Sequence, residues 1–245
     1  MTFTPQTIRS SPGTTPPWRR IFADPEYGRL PAILLGLTAV TGIVDAVSIL
    51  ALGRVFVANM TGNLVFIGFA LAGAPGFSLV ASLAALCGFL LGAFAAGRLI
   101  VRSDQPRESL LLRGLASELA LLVVALGVSL SLATSPGGWR VNLIAAVMAI
   151  AMGVQNTVAR RLAVPDLTTT VLTLTLTGLV ADVRGRASPG SGWRRLAAVL
   201  TMLCGAVVGA ELVLHTNIAT ALALVVLILA ILTGAAAASR PQAVE

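Results

Sequence analysis

No lysine occurs in this chain of 245 residues, so all 17 basic side chains are arginines. Charge of either sign is scarce: 11% of residues are charged against 56% hydrophobic, and the mean hydropathy is +0.91. That balance excludes a soluble domain built around one apolar core and leaves a polytopic membrane protein. The formal charge of +7 comes from arginines crowded between apolar runs, and aromatics make up only 5% of the chain. A basic patch interleaved with aromatics is missing, so nucleic acid is not an expected partner. Anionic lipid headgroups at the edges of a bilayer are.

Further absences narrow the chemistry. The one histidine, His215, lies next to a loop, and neither an HExxH zinc pair nor a GxxxxGK[ST] phosphate cradle occurs. ATP-driven transport and metal-dependent hydrolysis within the membrane are therefore unsupported, and no cofactor is expected. Ser48 near Asp45 lacks a base to make it a nucleophile, so the chain does not read as an enzyme. The two cysteines, Cys87 and Cys204, sit inside apolar runs and read as small packing residues, not as a disulfide or metal pair. The opening residues are rich in Pro, Thr and Arg and lack the apolar core of a signal peptide. Residues 1–29 are expected to form a flexible cytoplasmic tail, and 239–245 a short C-terminal one.

Long apolar runs fill the rest. A crossing helix needs ~20 apolar residues to span a hydrocarbon core ~30 Å thick. Six runs suffice, at about 30–52, 77–100, 110–132, 141–163, 193–214 and 217–238. Two shorter runs, 57–72 and 167–183, open with polar residues, ANMTGN and TTTVLTLTLTG. Arginine placement separates eight crossings from six, because cytoplasmic loops carry the excess of basic residues. With eight crossings and the N-terminus inside, Arg54, Arg98, Arg102, Arg107, Arg113, Arg160 and Arg161 fall outside, a split of ten to seven. If both short runs enter and leave on one side, only Arg54 and Arg140 are external, a split of fifteen to two. The second arrangement has the expected bias, with 57–72 dipping in from outside and 167–183 from the cytoplasm. Non-helical backbone inside a membrane persists only when buried in protein or lining a wet cavity, which places both dips at the heart of the molecule.

The two halves resemble each other. GIVDAVS at 42–48 matches GVQNTVA at 153–159, MTGNL at 60–64 matches LTLTL at 172–176, and LCGFLLGA at 86–93 matches LCGAVVGA at 203–210. The matches keep their order while the offset drifts from 111 to 112 to 117, as duplication with loop insertions would leave them. Each half, 30–132 and 141–238, holds three crossings and one dip, and an odd number of crossings turns the second copy upside down. The expected fold class is all-α: a polytopic membrane protein with about six transmembrane helices plus two short or re-entrant segments in two inverted repeats. Such repeats build a site near the midplane from discontinuous helices, although duplicated helices can also form a plain bundle without a pathway.

Asp45, about fifteen residues into the first crossing, is the most pointed side chain. A carboxylate at the bilayer centre costs at least ~2.5 kcal/mol unless protonated, paired or wet, and no basic residue lies within a turn of it. It reads as a proton- or cation-linked site, the alternative being a protonated acid bonded to a nearby carbonyl. In the other half its counterpart is neutral Asn156, flanked by Gln155. Asn59, Thr61 and Asn63 do not share a helical face, but a local turn around Gly62 would let them present amides and a hydroxyl to a substrate or ion. Asn59 is also placed to cap the following helix. Thr173 and Thr175 belong to the matching tract, where back-bonding to the preceding turn is the structural alternative. Glu118, about two turns inside its run, is a candidate for a proton path or for pairing with Arg113 or Arg98. Glu211 is a weaker candidate, with a simple reach to interfacial water as the alternative. The spacing of Gly88 with Gly92 and of Gly205 with Gly209 signals close helix approach only.

The stretch TGIVDAVSILALGRVFVANMTGNLVFIG, residues 41–68, resembles the characteristic segment of the YoaK-like family of bacterial inner-membrane proteins, domain of unknown function 1275. The resemblance extends over about 30–238 and is most specific at Asp45 and from Gly53 to Asn63. It implies a multi-span protein of the bacterial plasma membrane and brings no substrate with it. The expected function is that of a secondary transporter or channel for a small solute or ion, with a membrane scaffold or envelope sensor as the alternative. The expected partners are the lipid bilayer and that solute or ion, with assembly into a homo-oligomer left open.

Overall fold

The structure is a computed structural model that describes residues 27–101, 105–132, 138–164, 172–181 and 191–238. These residues form eight α-helices and no strand. In chain order the helices are α1 (Leu30–Ala51), α2 (Met60–Leu71), α3 (Leu79–Ala95), α4 (Arg107–Leu132), α5 (Gly138–Leu162), α6 (Leu172–Ala181), α7 (Ser191–His215) and α8 (Ile218–Ala238). A π-helical turn, Ala96–Ile100, prolongs α3. Six of them are long and apolar enough to cross a membrane, with α3 and its π turn counting as one span. Their limits fall within a few residues of the six long runs. Local signals set the ends: proline sits in the first turn of α1, where its missing N–H costs no helical bond, and the Ser78 hydroxyl accepts from the Ala81 N–H at the start of α3.

Helix α2 is too short to cross. Its 12 residues rise about 18 Å, against ~30 Å of hydrocarbon. The connection before it reverses direction sharply, with Gly53 at φ 88° and Arg54 at φ 57°. Leu52, Val55, Val57 and Ala58 are then buried as the chain runs back into the bundle without forming helix. After α2 the chain regains its starting level: the Arg54 guanidinium lies against Gly76, beyond the C-terminal end of α2. Phe56 stacks on Phe66, and Phe77 meets both Phe66 and Phe69. The segment is thus a hairpin with an extended limb going in and a helical limb coming out. The break lies at 52–59, before the helix, and not around Gly62 as expected, because Gly53 and Arg54 supply the reversal while Gly62 is already in the first turn of α2.

The same conclusion follows from the ends of the long helices. The start of α1, the start of α4 and the end of α8 line one cavity, so all three lie at one end of the bundle. Between the starts of α1 and α4 the chain must cross an even number of times. α1 and α3 supply both crossings, and α2 supplies none. From there α4, α5, α7 and α8 return the chain to the same end, leaving no crossing for the 10-residue α6. Among the described arginines, only Arg54 and Arg140 then lie toward the other end.

Helices from the two halves interlock. α1 packs along α7, and α3 along α5. A Cβ added at Gly205 would overlap the Ala39 carbonyl and one at Gly209 would crowd Ile43, so α1 and α7 run parallel with their backbones nearly touching. Gly88 faces Ala146 and Gly92 faces Ile150 in the same way, so α3 and α5 are parallel too. Gly42 abuts Met202 and Ala206 on α7, while Gly153 abuts Phe89 and Ala93 on α3. Gly42 and Gly153, which match in sequence, thus abut Ala206 and Phe89, which also match, while the α3 glycines meet α5 one turn earlier than the α7 glycines meet α1. Without Cβ atoms at these sites the helices gain dispersion contacts that apolar burial cannot supply in lipid. Cys87 and Cys204 are free and face outward, away from these seams; they are not the packing residues expected.

Candidate functional site

Asp45 is part of a polar corner made by α1, the extended limb and α5. The backbone amides of Ala58 and Val57, at the inner end of the limb, approach its carboxylate. Its Oδ1 is buried and has no hydrogen-bond partner. Ser48 does not reach that carboxylate: its hydroxyl donates to the Asp45 backbone carbonyl at 3.0 Å. One turn earlier on α1, the Thr41 hydroxyl donates to the Leu37 carbonyl and accepts from Gln155 Nε2 of α5, both at 2.9 Å. Gln155 is buried, and its Oε1 is a second oxygen without a donor. The corner therefore holds acceptor capacity in excess of its donors, in surroundings where each unmet acceptor is costly.

The ANMTGN residues separate into two groups. Asn63 is fully buried and clips the hairpin: its Oδ1 accepts from the Phe56 N–H at 2.8 Å, and its Nδ2 donates to the Phe56 carbonyl. Both halves of the amide are thus engaged by the backbone of the extended limb, which fixes the limb that carries Val57 and Ala58. Gly62 lies beneath the Phe56 ring, where a Cβ would overlap the ring atoms. Asn59 and Thr61 are exposed. Asn59 is the residue before α2, but its side chain makes no capping bond.

In the second half, the Asn156 amide donates to the Met152 carbonyl at 3.1 Å. Thr173 is exposed and Thr175 buried on α6, whose main neighbour is α7, where the Arg195 guanidinium lies against Gly178. The Thr173 carbonyl accepts from Thr177 at 2.8 Å, the back-bonding weighed as the structural alternative for this tract. Glu118 on α4 is 1% exposed, and its Oε1 has no partner. The guanidinium of Arg98 sits over the Phe94 ring, and among the described residues neither Arg98 nor Arg113 forms an ion pair with Glu118. Glu211 is exposed and pairs with His215 at 3.1 Å. Among the described residues no group of His, Cys, Asp and Glu is disposed to hold a metal ion.

The structure thus brings Asp45 and the limb before Asn59 together and sets Gln155 one turn of α1 away. It leaves Glu118 and the α6 threonines on other elements. Sequence reasoning missed Thr41, the residue that links α1 to α5, and Phe56, the partner of Asn63. Thr41 had a signal, since it lies four residues before Asp45 and so on the same helical face. Phe56 had none, because an apolar residue bonded through its backbone leaves no mark in composition.

These features define a helical membrane protein with an acceptor-rich polar corner inside a bundle of long apolar helices. The chain belongs to the family described as Protein of unknown function (DUF1275), which matches residues 33–235. It is similar to the UPF0700 transmembrane protein YoaK of Bacillus subtilis (strain 168), with 38% identity over 154 residues. That match takes in 62% of this chain and 66% of the relative, just under two thirds of its length. No solved structure matches the chain.

Proposed function

We propose that the protein is a secondary transporter or channel of the bacterial plasma membrane that moves a small solute or ion without covalent chemistry, with Asp45 as the binding or coupling carboxylate. The observation that carries this reading is the partnerless Asp45 Oδ1, buried where the extended limb turns into α2. An ionisable group at such a position is costly, and a proton or cation relieves the cost. The reciprocal glycine seams support an inverted repeat, since each half supplies three crossings and the seams exchange helices between halves. By the excess of basic residues at one end, that end and the N-terminus face the cytoplasm.

A second reading, a scaffold or envelope sensor, draws on close packing. Val44, Val47, Ser48 and Val57 are fully buried near Asp45, and the cavity of about 530 Å³ lies at the helix ends instead. The two are separated by uptake into vesicles with and without an imposed pH gradient, across organic acids, amino acids, metal ions and drugs. Asp45→Asn preserves shape but carries no exchangeable charge, so at matched abundance it is expected to assemble and to lose gradient-driven uptake. Uptake that survives the substitution removes Asp45 from the coupling role. A wild-type protein that moves nothing in the panel favours the scaffold.

A further inference from the structure

The cavity between the start of α1, the start of α4 and the end of α8 has two unlike zones. Leu30, Ile33 and Leu111 give it an apolar wall facing into the bundle, and Arg29 and Arg107 stand at its rim. The Arg107 guanidinium lies 5.1 Å from the centre of the Tyr27 ring, a contact that sets its plane while leaving its N–H donors free. Glu108 borders the same cavity, yet among the described residues it forms no ion pair with either arginine. Two guanidiniums without a carboxylate partner among the described residues thus line one cavity at the ends of helices long enough to cross a membrane.

The geometry points to a binding site for an anionic phospholipid, with the phosphodiester between Arg29 and Arg107 and the glycerol and upper acyl chain against Leu30, Ile33 and Leu111. Arginine forks match phosphate oxygens, and basic pockets between transmembrane helices suit anionic headgroups. A zwitterionic lipid offers the same phosphate but adds an ammonium, which the net positive charge of two guanidiniums against one carboxylate disfavours. Free phosphate leaves the apolar wall uncovered. The site is independent of the transport reading, since a lipid at the helix ends binds whether or not Asp45 carries flux.

The test uses the full chain purified in detergent, with native mass spectrometry to follow retained ligand and thermal unfolding as a second measure. The probes are phosphatidylglycerol, phosphatidylcholine and inorganic phosphate. Phosphatidylglycerol is expected to be retained and to raise the unfolding temperature, whereas the other two do neither. Arg29→Gln and Arg107→Gln should each weaken retention about fivefold, and Arg113→Gln, outside the cavity, should leave it unchanged. Glu108→Gln removes the one negative charge that the described residues place at the cavity and should tighten retention, a gain that loss of folding cannot mimic. Equal retention of phosphatidylcholine, or unchanged affinity in both arginine variants, overturns the proposal. An equal response to inorganic phosphate overturns the lipid assignment in favour of a soluble anion.

Discussion

Gln155 Nε2 on α5 donates to Thr41 Oγ1 on α1 across 2.9 Å, and the Thr41 hydroxyl passes the chain on to the Leu37 carbonyl. Both side chains are buried, so the Gln155–Thr41 bond joins the first helix of one half to the first helix of the other. The link lies one turn from Asp45. Any movement of the halves against each other must break it or carry it along.

Removing the two partners separately should therefore have unequal effects. Thr41→Val leaves the Gln155 amide buried without an acceptor and is expected to cost about 1–3 kcal/mol. Gln155→Leu leaves Thr41 bonded to Leu37 and also removes the partnerless Oε1, so it should be close to neutral. The double variant should recover most of the loss in Thr41→Val. Thermal unfolding in detergent measures all three, and a harmless Thr41→Val would show that the bond does not hold the halves together.

The glycine seams make a sharper prediction. At Gly153 an added methyl meets the Phe89 carbonyl, and at Gly42 the Met202 carbonyl, so relief requires two backbones to separate. Gly153→Ala and Gly42→Ala should each destabilise by about 1–3 kcal/mol, the usual range for overpacking. Gly68→Ala and Gly127→Ala, which meet nothing within 4 Å, should be tolerated. Folded yield and unfolding temperature of the four variants decide the matter.

The seams also show why parts of the fold were legible in the sequence. Helix limits follow from long apolar runs, and Gly88, Gly92, Gly205 and Gly209 announce close approach through their spacing alone. Which helix each glycine touches is a tertiary fact, so the exchange between halves emerges only from the structure. The ANMTGN stretch misled for a local reason. Its polar residues suggest a turn around Gly62, yet the reversal needs positive φ, and the chain adopts it at Gly53 and Arg54. Polarity marked the neighbourhood of the hairpin but not its hinge. At the site, Asp45 was visible because charge is rare in an apolar helix, whereas the amides that approach it belong to Val57 and Ala58, side chains without polar atoms.

Topology can be checked by thiol labelling in intact cells after Cys87 and Cys204 are replaced by alanine. Ala72 follows α2 at the end opposite the arginine-rich face, and Pro106 precedes α4 at that face; both are exposed. An impermeant reagent should modify Ala72→Cys and spare Pro106→Cys. The reverse pattern is what eight crossings would give, and it would remove the support for an inverted repeat.

The Asn63 clip on Phe56 holds the limb whose amides approach Asp45. Asn63→Leu leaves the Phe56 N–H and carbonyl without their partner, at about 1–3 kcal/mol for each group that stays buried. Asn63→Asp, buried and therefore held protonated, keeps an acceptor for the N–H and an O–H donor for the carbonyl, so its effect should be smaller. Gly62→Leu should loosen the same hairpin by displacing the Phe56 ring, whereas Gly68→Leu faces open space. Hydrogen exchange at 55–58 should rise in the order Asn63→Asp, then Asn63→Leu, while the amides of α5 stay protected. If the limb positions the amides that Asp45 needs, flux should fall in the same order with protein abundance unchanged. Fast exchange together with undiminished flux would detach the hairpin from the pathway and leave Asp45 to act through α1 and α5 alone.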